Sequence, residues 1–263
     1  MLACAGSLAL AAAGFAGVTV PWWSIALALS TVLTITGVGV ALQGSGVFAR
    51  PVMAGPSDRP LVALTFDDGP DPSETRRVLD LLDGSGHRAT FFLIGQRASE
   101  HAELTAEIVG RGHALGNHSD QHSHATPFLA PARLASELAR AQDRMHAASG
   151  ARPRWFRPPV GLLSPRVVDG ARLAGLELIA WTATARDGTA RATVESSLAR
   201  LEVALFPGAI LVLHDAAERG ARRPIAADVL RPLLERMASR GLRSVTLDEL
   251  LDGDSLKDQS PVK

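Results

Sequence analysis

No side chain before Arg50 can ionise except Cys4, and no histidine occurs before His87. The chain also has no tyrosine, a single cysteine and few aromatic residues. A lone cysteine excludes an internal disulfide framework and any cysteine-built zinc knuckle. The scarcity of aromatics argues against a long, open groove that grips a polymer by ring stacking. Net charge is missing as well: 27 basic side chains balance 27 acidic ones. No global field therefore draws in nucleic acid or an acidic polymer, and nucleic acid is not an expected partner.

The missing charge is concentrated at one end. Leu2 to Val20 is almost entirely Ala, Gly, Leu, Val and Phe, and a second apolar run extends from Ser24 to Leu42. Each run is close to the roughly 20 residues that cross a bilayer as a helix. Between them, Pro21-Trp22-Trp23 suits an interfacial turn, where indole rings settle. A two-span transmembrane hairpin over residues 1–43 is the expected reading, with the membrane as a partner. The alternatives are one span or a cleaved signal peptide, though the latter lacks a positive n-region here. Residues 44–60, with Gly44, Gly46, Pro51, Gly55, Pro56 and Pro60, read as a linker. Residues 252–263 read as a polar tail.

From Leu61 to about residue 251, short apolar runs alternate with helical patterns. Strands are expected at Leu61–Phe66, Ala89–Ile94, His113–Asn117, Arg154–Arg157, Leu176–Trp181, Ala209–His214 and Ser244–Leu247. Amphipathic helices separate them, such as Pro131–Ala148 with Leu134, Leu138, Ala141 and Met145 on one face. Repeated β-α units of this length imply an α/β fold with a parallel sheet, and seven of them a distorted barrel. A doubly wound open sheet would usually show a nucleotide-binding glycine fingerprint after its first strand, and Asp67-Asp68-Gly69-Pro70 is not one.

Active sites of parallel barrels are built at the carboxyl ends of the strands. Those ends carry Asp67 and Asp68, then Asn117 and His118 with His122 just beyond, then Arg157, then Asp187, then His214 and Asp215. His118 and His122 are four apart, a spacing that on a helical turn places both imidazoles on one side of a metal. With Asp68 they make a one-carboxylate, two-histidine set, the ligand pattern of a catalytic zinc site. His124 is six from His118 and reads as solvent-facing. Asp67 is then left to accept a proton from the attacking water, Arg157 is its charge partner, and His214 is a candidate acid for the leaving amine.

These residues resemble the polysaccharide deacetylases with a NodB-type domain, carbohydrate esterase family 4. The likeness is carried by Thr65-Phe66-Asp67-Asp68-Gly69, His118-Ser119-Asp120-Gln121-His122, Arg157-Pro158-Pro159-Val160-Gly161 and Leu211-Val212-Leu213-His214, in that order along the chain. It implies a distorted (β/α) barrel that hydrolyses N- or O-acetyl groups on glycans with one divalent metal, usually zinc. It also implies Asp67 as base, Asp68, His118 and His122 as ligands, and His214 as acid. Arg157 would orient Asp67, and Asp187 would support Arg157 or His214. Two departures stand out. Val160 occupies a place where the family often has tyrosine, and Thr184, Asp187 and Gly188 stand where it usually has two aspartates and a tryptophan.

The expected substrate is a cell-envelope glycan. A lipid-linked sugar that loses an acyl or formyl group is the alternative, and an inactive glycan-binding module is a third reading. An envelope glycan requires the domain on the extracytoplasmic side of the cell membrane, against the weak cytoplasmic bias of Arg50 and Arg59.

Overall fold

The computed structural model describes residues 21–41, 46–217 and 223–252. The first limb of the expected hairpin, residues 2–20, and the tail from 253 onward lie outside them. The second apolar run forms α1, Trp22–Ala41. Among the described residues no helix is long and apolar enough to cross a membrane, so the transmembrane hairpin finds no support there.

The remaining elements follow in order as β1 (Leu61–Asp67), α2 (Glu74–Gly84), β2 (Ala89–Leu93), α3 (Gly95–Glu100), α4 (Ala102–Gly110), β3 (Ala114–Asn117), α5 (Pro131–Ser149), β4 (Trp155–Phe156), α6 (Pro165–Leu173), β5 (Glu177–Leu178), β6 (Ala183–Thr184), α7 (Val194–Glu202), β7 (Ile210–His214), α8 (Ala226–Ser239), β8 (Arg243–Ser244) and α9 (Leu247–Asp252). Every strand pairing is parallel, in the order β5-β4-β3-β2-β1-β7-β6, with β8 beside the start of β1.

Two expected strands differ from those observed. The run Leu176–Trp181 yields only β5, and the chain then crosses to found β6 at the opposite edge. The expected strand Ser244–Leu247 ends after Ser244 and turns into α9, with the Leu247 N–H donating to Thr90 Oγ1 at 2.9 Å.

The crossing from β5 to β6 shows why the sheet is curled. The two strands are the outer edges of the sheet, yet only residues 179–182 join them. A chain advances at most about 3.3–3.6 Å per residue, so the edges stand within roughly 17 Å of each other. A flat sheet of seven strands spaced about 4.8 Å apart would set its edges roughly 29 Å apart. Residues expected to be linker help to fill the gap. Val52 bridges Ile179, Ala54 bridges Ala209, and the Gly55 N–H donates to Gly208 O at 2.8 Å.

Period-two alternation then sorts side chains between two environments. On β1, Val62, Leu64 and Phe66 join the large core against the outer helices. Leu61 and Ala63 point inward, with Phe92, Trp155, Ile210 and Leu250, and plug the bottom of the barrel. Continuing the same inward face upward gives Thr65 and then Asp67. The inward face of β7 reads Ile210, Val212, His214, and that of β4 continues to Arg157. The barrel interior is thus apolar at its base and ionisable at the carboxyl ends, as parallel β/α architecture requires. Asp67 and His214 are register partners across β1 and β7, so their side chains leave the sheet side by side.

Candidate active site

The carboxyl ends of the strands open into a cavity of about 430 Å³ lined by Asp67, Asp68, His118, His122, Pro158, Val160, Gly161, Trp181, Thr184, Arg186, Thr189, Val212 and His214. Of the residues singled out in the sequence, Asp67, Asp68, His118, His122 and His214 line it directly. Arg157 and Asp187 are fully buried behind this wall.

Asp68, His118 and His122 each offer a ligand atom, and these atoms lie within 4.8 Å of one another. Asp68 Oδ1 is 3.1 Å from His122 Nε2 and 3.4 Å from His118 Nε2. All three residues are buried, and Asp68 Oδ1 accepts no hydrogen bond of acceptable geometry. His118 Nδ1 lies 2.8 Å from the Arg157 carbonyl, which can only accept, so Nδ1 carries the proton and the Nε2 lone pair faces the cluster. An imidazole fixed in this way by a backbone carbonyl is the usual support for a metal-bound histidine. The donor set of two imidazole nitrogens and one carboxylate oxygen fits a divalent cation of the zinc type.

The electrostatics agree. Burial alone would raise Asp68, but the His118 and His122 imidazoles facing it outweigh burial and hold the carboxyl well below the usual range. Burial likewise opposes charge on His118, while Asp67 and Asp68 overcome it and raise its pKa. The carboxylates therefore stabilise positive charge at this point.

The histidines do not converge on a helix, contrary to the expectation from their spacing. Residues 118–122 form an irregular turn in which Ser119 (φ 70°) and His122 (φ 53°) are left-handed. Side chains replace the helical hydrogen bonds. The Ser119 N–H donates to Asn117 Oδ1 at 2.9 Å, and the His122 N–H to Ser119 Oγ at 2.9 Å. His124 is exposed and meets the His122 ring edge-on at 5.9 Å.

On one side of the cluster stands Asp67, whose Oδ1 accepts from Arg157 Nη1 at 2.7 Å. The guanidinium also donates to Thr65 Oγ1 at 2.8 Å and to Ala180 O at 3.0 Å, and stacks over Phe92. Burial pulls Arg157 below its ordinary value and the Asp67 charge opposes this. On the other side stands His214. Its Nδ1 lies 2.8 Å from Asp187 Oδ1, and its backbone N–H donates to Asp187 Oδ2 at 3.0 Å. The sequence left Asp187 to support either Arg157 or His214, and the structure pairs it with His214. With Nδ1 engaged, Nε2 is the ring nitrogen left to face the cavity. Burial disfavours the charged ring, but Asp187, reinforced by Asp68 and Asp67, pushes His214 up to about 10.

Trp181 and Arg97 escaped the sequence reading, which placed Asp215 at a strand end but gave it no role. Trp181 supplies an aromatic wall where Gly188 removes the family tryptophan. It sits just past β5, and the crossing to β6 turns it into the cavity. Arg97 ties the Asp68 carbonyl, at 2.7 Å, to that of Ala217, at 2.8 Å, and so holds the carboxyl ends of β1 and β7 together. Asp215 is buried against Gly69, where any Cβ would fall 2.6 Å from its carboxylate oxygens, and it accepts from Thr75 Oγ1 at 2.5 Å. Burial, against the Thr75 bond, lifts Asp215 to about 7.

Comparison with known proteins places this geometry. The polysaccharide deacetylase profile matches residues 54–179. A peptidoglycan-N-acetylglucosamine deacetylase of Bacillus cereus is 33% identical over 198 residues, which are 74% of this chain and 90% of the relative. The chain belongs to the polysaccharide deacetylase family, carbohydrate esterase family 4. It is thereby a hydrolase acting on carbon–nitrogen bonds other than peptide bonds. A chitooligosaccharide deacetylase of a Bradyrhizobium species is 36% identical over 163 residues, covering 62% of this chain and 74% of that one. Among solved structures, a family 4 acetyl xylan esterase of Clostridium thermocellum, in complex with a cobalt ion, superposes with a TM-score of 0.66 at 34% identity. The match covers 72% of this chain and 89% of the esterase. The deacetylase family reading also accounts for the expected barrel, here a curled parallel sheet.

Proposed function

We propose that this chain removes N-acetyl groups from amino sugars of a cell-envelope glycan, with zinc held by Asp68, His118 and His122. The observation that carries the reading is a single cavity with three ligand atoms at its centre, an Arg157-bound carboxylate on one side and an Asp187-bound imidazole on the other. The cation would polarise the amide carbonyl and make the attacking water more acidic. Asp67 takes the proton of that water, and Arg157 fixes the direction of its carboxylate. His214, protonated on Nε2, delivers a proton to the leaving nitrogen. The segment from Pro158 to Gly161 brings the Val160 backbone to the cavity wall, where its N–H is the donor for the developing oxyanion. A backbone donor does not depend on the side chain, which is why valine can stand where the family often has tyrosine.

The reading is tested by acetate release from N-acetylglucosamine oligomers and peptidoglycan fragments, with O-acetylated xylan and a lipid-linked amino sugar alongside. The zinc-loaded chain is expected to act on the first two, and a strong chelator to abolish the activity. Release of formate alone, or activity on the lipid-linked sugar alone, would replace the substrate assignment. No release from any of them would leave a glycan-binding module.

The Asp187 contact gives a pH prediction. The acid role needs protonated His214, so activity holds below its pKa and falls as pH rises through it. Asp187→Asn removes the direct bond and a negative charge, which would lower that pKa. The alkaline limb of the kcat/KM profile is expected to move to lower pH in this variant. An unmoved limb would take His214 out of the acid role.

Attachment to the cell membrane with the domain outside is part of the same proposal. Its support is α1, which exposes Trp22, Trp23, Ile25, Leu27, Leu29 and Leu33 and carries no ionisable side chain. The full chain should sediment with membranes and withstand carbonate extraction. Recovery in the soluble fraction would dismiss it.

A further inference from the structure

Five non-glycine residues have positive φ among the described residues: Asp68, Ser119, His122, Val160 and Arg186. Four of them line the cavity, and the Ser119 hydroxyl holds the His122 backbone beside it. A left-handed backbone is costly for a residue with a Cβ, and it persists where the surroundings enforce it, characteristically at functional sites. Asp68, Ser119, His122 and Val160 each have a place in the mechanism. Arg186 has none.

Its backbone is firmly fixed. The Arg186 N–H donates to Thr184 Oγ1 at 3.3 Å, and its carbonyl accepts from the N–H and hydroxyl of Thr189 at 3.2 and 2.9 Å. The side chain, by contrast, is exposed and makes no ion pair among the described residues. The acidic groups around it are already engaged, Asp67 by Arg157, Asp187 by His214 and Asp68 by the two histidines. Arg186 is the only arginine or lysine among the described residues lining the cavity. Gly188, two residues on, adds no side chain that could screen it.

We propose that Arg186 is a specificity-determining residue that binds a carboxylate on the sugar unit adjoining the one that is deacetylated. This rests on the deacetylase reading. A guanidinium presents a planar fork of donors that matches a carboxylate in a two-point contact. Its exposed place at the rim, outside the buried ligand cluster, points to the neighbouring unit rather than to the acetamido group itself. The substrate class this implies is an amino-sugar polymer bearing carboxyl substituents, rather than a neutral one.

The test compares the zinc-loaded full chain with its Arg186→Gln and Arg186→Lys variants. Three substrates are used: neutral N-acetylglucosamine oligomers, an oligomer whose alternate units carry a lactyl carboxylate, and the same oligomer with that carboxylate amidated. Wild type is expected to prefer the carboxylate form over the amide. Arg186→Gln should reduce that preference roughly ten-fold or more, the range of a charge-assisted hydrogen bond. Arg186→Lys should restore part of it. Binding of the carboxylate oligomer to the metal-free chain, read by calorimetry, should weaken in parallel. If Arg186 served only to turn Asp187 inward, Arg186→Gln would lower turnover on all three substrates equally and leave the preference unchanged. That result overturns the inference while the deacetylase reading stands. Absence of acetate release from every substrate would bring down both.

Discussion

Asp67→Asn is expected to leave zinc bound and to lower kcat by roughly a hundred- to ten-thousand-fold, the usual worth of general-base assistance. The substitution keeps shape and hydrogen-bonding reach, so the Arg157 contact is the main structural concern. A neutral amide cannot balance a buried guanidinium, and Arg157 is already pulled below its ordinary value by burial. Some loss of stability should therefore accompany the loss of rate, and the two must be measured separately. Zinc content by elemental analysis, a urea midpoint and kcat on an acetylated oligomer together do this. His214→Ala is expected to lower kcat with zinc retained in the same way. A different pH profile should distinguish the two, because Asp67 acts on the water and His214 on the leaving nitrogen. Full activity in Asp67→Asn would remove the base role, and loss of zinc from it would make Asp67 a ligand.

The parts of the fold that were legible in the sequence are those where local pattern and tertiary environment coincide. β1, β2 and β7 are apolar runs because central parallel strands are buried on both faces. The ends of β1 and β7 were legible because aspartate and histidine interrupt those runs abruptly. β6 was not, and β5 was read too long, since two residues of pairing leave almost no periodicity to read. Their positions are set by barrel closure, a long-range constraint absent from any local window. The same closure hid Trp181, which the sequence presents as the end of a strand and the structure presents as a cavity wall.

At the site, residue identities were legible and the means of their convergence were not. The His118–His122 spacing suggested a helix. The chain instead uses two left-handed residues and side-chain bonds from Asn117 and Ser119, a solution that period analysis cannot detect. Long-range partners were equally hidden. Thr65 receives Arg157, while Arg97 joins Asp68 to the loop after His214. Both act through contacts between residues far apart in sequence. Arg186 lies within two residues of a motif position, and only its backbone conformation and lack of an acidic partner set it apart.

Asp68→Asn should show the opposite order of events from Asp67→Asn, with zinc affinity falling first and turnover following from it. Asp68 contributes the only anionic ligand of the cluster, and its Oδ1 stands 3.1 and 3.4 Å from the two imidazole Nε2 atoms. An asparagine oxygen could occupy the same place but would bring no charge to offset a divalent cation. The two histidines would remain, so binding should weaken without vanishing, and excess zinc should recover part of the rate. The amide also ends the charge attraction that holds Asp68 below the usual carboxylate range and His118 above its ordinary value. The metal-free variant should therefore bind fewer protons at this cluster near neutral pH, which an NMR titration of the His118 and His122 ring resonances would show as a lowered His118 pKa. Zinc titration by calorimetry, paired with kcat as a function of added zinc, distinguishes the outcomes. A raised dissociation constant with kcat restored at saturating zinc identifies Asp68 as a ligand. Unchanged zinc affinity with a depressed kcat would instead exchange the roles of the two neighbouring aspartates.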